Sequence, residues 1–81
     1  MMKYKYVVVM RNNDIESYVG TYPEYATAVG NIWDHAVDLL DAEDIEVHCV
    51  QNDCGNYIHF TFWVKEKDKI LYTMFKVGTD E

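Results

Sequence analysis

Apolar residues recur at three- and four-residue spacing over one stretch of this chain and alternate with polar residues, or cluster as β-formers, over most of the rest. Residues 3 to 11, KYKYVVVMR, are rich in Val and Tyr, which suit a pleated surface, and predict a strand. Asn12-Asn13 tolerates the left-handed backbone of a tight turn, so residues 15 to 20 return as a second, shorter strand. From about 22 to 41 the pattern is helical: Tyr25, Val29, Ile32, Trp33, Ala36 and Leu40 form an apolar stripe facing the sheet. Glu24, Thr27, Asn31, Asp34, His35, Asp38 and Asp41 lie opposite, on a solvated side. Thr21-Tyr22-Pro23-Glu24 has the spacing of a capping box, with Pro23 in the first turn where its missing N–H costs nothing. Gly30 costs about 1 kcal/mol against Ala within a helix, and its place beside the stripe predicts close approach to the sheet.

Two further strands, 45 to 51 and 57 to 66, have a register that can be argued from side-chain alternation. A two-residue turn at Cys54-Gly55 sets Cys49 against Phe60, Val47 against Phe62 and Ile45 against Val64, gathering the apolar residues on one face. A similar turn at Lys67-Asp68 sets Leu71 against Val64 and Phe75 against Phe60 in a fifth strand, 69 to 77. The expected fold is α+β: one domain over 1–81, ββαβββ, a mostly antiparallel sheet of four to five strands with the helix on one face. The other face then carries His48, Val50, Tyr57, His59, Thr61, Trp63, Tyr72 and Met74, with Trp63 opposite Tyr72. A single helix leaves nothing to cover it, and aromatics and Met are enriched at interfaces, so Tyr57, His59, Trp63, Tyr72 and Met74 are candidates for a homodimer contact.

Composition narrows the choice. With 81 residues, 49% of them hydrophobic and 15% aromatic, the chain suits one folded domain and not a disordered acidic tail. Its formal charge is -7, which disfavours direct contact with nucleic acid or an anionic membrane and favours a basic partner. The apolar run from Tyr6 to Met10 is far too short for a signal sequence or a membrane span, so the expected place is the cytoplasm of a bacterial or infected host cell. Two cysteines at this length do not make a disulfide framework.

Catalytic and metal chemistry find little support. His48, Cys49, Cys54 and His59 are types that zinc favours, but in the register above Cys49 points into the core, Cys54 sits at a turn tip and both histidines lie on the other face. A Cys54 nucleophile paired with His59 would lack walls to exclude water, and Ser17 is the only serine. The expectation is no enzyme, no cofactor and no metal, with a small enzyme or metal protein built on His48, His59 and Cys54 as the second alternative. The stretch VGTYPEYATAV resembles the way into the helix of many small phage and bacterial domains and carries no site residues.

The helix end holds the most informative charge. Asp34, Asp38, Asp41, Glu43, Asp44 and Glu46 gather where the helix dipole is negative, and no Lys or Arg occurs between Arg11 and Lys65. The spacing of a calcium loop is absent. Those six residues are the candidate contact for a basic protein surface, as in a small phage-encoded inhibitor that occupies a partner's nucleic-acid-binding groove. The alternative is a homo-oligomeric structural or regulatory domain.

Overall fold

The computed structural model describes residues 3–43, 46–65 and 69–79. Its elements are β1 (Lys3–Asn12), β2 (Ile15–Tyr22), α1 (Tyr25–Leu40), β3 (His48–Asp53), β4 (Tyr57–Trp63) and β5 (Ile70–Thr79). The strands form one antiparallel sheet in the order β2-β1-β5-β4-β3, with the last strand of the chain inserted between the first and fourth. The fold is therefore α+β with element order ββαβββ.

The β1–β2 turn falls one residue later than the Asn pair predicts: Asn13 and Asp14 have φ of 52° and 67° between the paired Asn12 and Ile15. Two left-handed residues make the type I′ geometry whose twist matches the strands. Beyond Val8 the pairing slips, so that Val9 faces Tyr18 and Val19 is the extra residue of a bulge.

The capping box does not form. Thr21 stays in β2 opposite Val7, and its hydroxyl shares a 2.6 Å hydrogen bond with the Tyr18 hydroxyl. Glu24 occupies the N-cap in an extended conformation without a side-chain cap, its carbonyl accepting from the Ala28 N–H at 3.1 Å. The helix consequently starts at Tyr25, after Pro23.

Ala28, Ile32, Ala36 and Leu40 are buried against Val8, Phe60, Phe62, Val64, Ile70, Tyr72 and Met74. Small residues at 28 and 36 let the helix approach closely while aromatic rings fill the sheet side. Gly30 does not serve that approach: it is exposed, and a Cβ built there meets nothing within 4 Å. Gly30→Ala should therefore stabilise the domain by about 1 kcal/mol in urea unfolding. A loss of stability would mean that the helix sits closer to the sheet than described.

The β3–β4 turn is longer than the sequence predicts. Asp53 pairs with Ile58 and Cys49 with Phe62, a slip of two residues that leaves every side chain on its expected face. The intervening loop is held by the Cys54 N–H donating to the Tyr57 carbonyl at 2.9 Å and the Gly55 N–H donating to Asp53 Oδ1 at 2.9 Å, with Gly55 at φ 92°. Lys67, Asp68 and Ile45 lie outside the described residues, so the Lys67-Asp68 turn and the Ile45–Val64 pair are not described.

The β4–β5 register differs by three. Phe60 faces Tyr72, Phe62 faces Ile70 and Thr61 faces Leu71. An odd slip exchanges faces: Tyr72 and Met74, expected on the open side, are 0% and 2% exposed in the core, while Leu71 and Phe75 are exposed opposite the helix. Both alternating sets in β5 are apolar, so alternation alone could not choose between them. The Tyr72 hydroxyl helps to fix the choice, since it lies 2.6 Å from His35 Nδ1 and so finds a partner in the interior.

Candidate functional site

Two surfaces emerge on opposite sides of the sheet, and they differ in charge. The first is the helix end. Asp34 and Asp38 follow at i and i+4 on the exposed side of α1, Asp41 caps its C-terminus, and Glu43 and Glu46 come next along the chain, all of them exposed. Asp44 lies outside the described residues. His35 departs from the solvated side expected of it: it is half-buried, bonded to Tyr72, with its ring edge-on to that tyrosine at 5.6 Å.

Asp41 closes the helix in the left-handed conformation, φ 49° and ψ 51°. Its N–H donates to the Asp38 carbonyl and the Ala42 N–H donates to the Val37 carbonyl, the paired bonds of a Schellman closure. Glycine is the usual residue there because it has no Cβ to strain, and a carboxylate also opposes the helix dipole. Asp41→Gly should therefore raise stability by about 1 kcal/mol. A thermal melt showing clear destabilisation would instead mean that the Asp41 side chain holds the loop together.

Lys65, distant in sequence, returns to this end: Asp41, Ala42, Glu46, His48, Val64 and Lys65 line one shallow groove. The acids are thus less isolated from cations in space than along the chain.

The second surface is the open face of the sheet. Register places Tyr18, Val9, Thr73, His59 and Asn52 in one row across the strands, and Thr21, Val7, Phe75 and Tyr57 in the next. Tyr57 and Phe75 are cross-strand neighbours with ring centroids 6.0 Å apart. His59 Nδ1 lies 2.9 Å from Thr73 Oγ1, and its ring meets Tyr57 edge-on at 5.0 Å. At the far end His48 stacks on Trp63 at 5.5 Å, and the Lys69 ammonium lies 5.4 Å from the Trp63 ring centre. Trp63 therefore pairs with His48 and not with Tyr72. Of the expected interface residues, Tyr57, His59 and Trp63 lie on this face, joined by Leu71, Phe75 and Val77, each about two-fifths exposed.

The sequence reading missed the cations of this face. Lys3, Lys5 and Arg11 share the alternation of Val7 and Val9 in β1, and Arg11 pairs with Glu16. That parity was legible, but total charge concealed it.

The metal and thiol candidates lie apart. Cys49 is half-buried on the helix side, where burial pushes its thiol pKa up. Cys54 is exposed in the β3–β4 loop. His48 and His59 share the open face, but His59 pairs with Asn52, four residues or about 13 Å along β3 from His48. Among the described residues no group of three or more His, Cys, Asp or Glu could hold a metal ion, and no helix is long and apolar enough to cross a membrane. No protein-family model, curated protein or solved structure matches the chain.

Proposed function

We propose that this chain is a non-catalytic interaction domain that sets its acidic helix end against a basic surface of another protein, such as a groove that otherwise holds nucleic acid. The observation that supports this is Asp41: a carboxylate occupies the one left-handed position of the helix closure where glycine would be more stable, with exposed acids on both sides. A carboxylate that costs stability at this position, beside other exposed acids, is placed to contact a basic surface. Spaced carboxylates on a helix side then take the place of phosphates.

The test is capture of a partner by immobilised protein over a salt series, beside the variant Asp38→Asn/Asp41→Asn/Glu43→Gln/Glu46→Gln. Capture should weaken steeply with salt and vanish in the variant, whose circular dichroism and melting temperature stay intact or improve. A variant that retains full affinity makes the ridge a solvated surface only. A second reading, self-association through the open sheet face, is favoured by the exposed Leu71, Phe75 and Val77. It predicts a dimer in sedimentation at micromolar concentration that Phe75→Asp weakens.

A further inference from the structure

The open sheet face combines exposed aromatic rings with cations, against the sign of the whole chain. Tyr18, Tyr57 and Phe75 are 66%, 36% and 40% exposed. Lys5 and Arg11 stand on the same face of β1, and Lys69 lies over Trp63. Among the described residues of the five strands, Glu16 supplies the only carboxylate on this face. Most of the described acids, Asp34, Asp38, Asp41, Glu43 and Glu46 among them, belong to the helix side.

Two occupants fit an apolar face, and charge discriminates between them. A two-fold dimer sets the same patch against itself. That doubles Lys5, Arg11 and Lys69 within one contact, where the described strand residues of each chain offer only Glu16 to relieve them. An anionic, ring-bearing chain meets both features at once: its bases stack on the aromatics and its phosphates meet the cations. The -7 total is no obstacle at this range. A helix is about 10 Å across, so carboxylates on its outer side stand farther from the open face than the Debye length of about 8 Å at physiological salt.

We infer that the open face of the sheet, across β1, β5 and β4, binds single-stranded nucleic acid without sequence preference, through base stacking on Tyr57 and Phe75 and phosphate contacts from Lys5 and Arg11. This site is separate from the acidic helix end and stands or falls independently of it. Duplex is disfavoured, because the rings need unpaired base faces.

The test is fluorescence anisotropy of a labelled oligodeoxythymidine against the full chain at low salt, with a duplex of the same length and free phosphate as competitors. The single strand should bind, and excess duplex or phosphate should displace it poorly. Tyr57→Ala and Phe75→Ala should each weaken it about tenfold. Lys5→Gln and Arg11→Gln should each lower the slope of log affinity against log salt by about 0.7. Asp38→Asn, on the other side, should leave affinity within about twofold. No binding at low salt overturns the inference, as does binding that all four face variants leave unchanged. Sedimentation showing a stable dimer that Phe75→Ala or Arg11→Gln dissociates would also overturn it, assigning the face to a second copy.

Discussion

Phe62→Ala should leave the domain largely unfolded at room temperature. Phe62 is fully buried at the centre of an aromatic cluster: Trp33 meets its ring edge-on at 4.9 Å, Tyr72 does so at 5.5 Å, and Phe60 lies parallel at 6.4 Å. Truncating a buried Phe costs about 3–5 kcal/mol, part transfer free energy and part cavity. A chain of 81 residues has a total stability of about 4–12 kcal/mol, and a single helix on one open sheet puts this one toward the low end, where that loss removes most or all of it. The cluster also joins the helix to β4 and β5, leaving no independent layer to hold native packing. Urea unfolding followed by tryptophan fluorescence checks it through Trp33. A variant within about 1 kcal/mol of the parent would show that the helix does not pack over β4 as described.

The second large effect separates two adjacent residues. Met74→Asp should cost at least about 3 kcal/mol, because it buries an unpaired carboxylate where a 2%-exposed thioether had packed. Phe75→Asp, one position along the same strand, should cost about 1 kcal/mol, mainly through strand preference. The register expected from a two-residue turn reverses the order, with Phe75 inside and Met74 outside. Melting temperatures of the two variants therefore decide which face of β5 meets the helix. Equal losses would mean that β5 is covered on both sides.

That pair also marks how far the sequence could be read. The helix stripe of Ile32, Ala36 and Leu40 was plain because polar residues flank it, and β4 was plain because Phe60, Phe62 and Val64 alternate with weaker candidates. In β5 the two sets Ile70-Tyr72-Met74 and Leu71-Phe75-Val77 are equally apolar, so face assignment depended on the loop length before it, which short-range pattern does not determine. Strand order was hidden for a related reason: β5 reaches β1 across nearly the whole chain, and no local signal encodes that pairing. His35 looked solvated from its helix position and is instead drawn inward by the Tyr72 hydroxyl. For the surfaces, the acidic run was visible as consecutive letters. The cations of the open face were dispersed over β1 and the segment before β5, and only the folded sheet gathers them.

We propose that the domain meets its partners through two oppositely charged surfaces on opposite sides of one sheet. The most direct test is amide chemical-shift mapping of isotope-labelled protein, titrated separately with a Lys/Arg-rich peptide and with oligodeoxythymidine. The peptide should shift residues 34–43 and 46, the oligonucleotide should shift Lys5 to Arg11, Tyr57 to Thr61 and Leu71 to Phe75, and neither probe should move the other's set. Both probes acting on the same residues, or neither producing a localised shift, would contradict it.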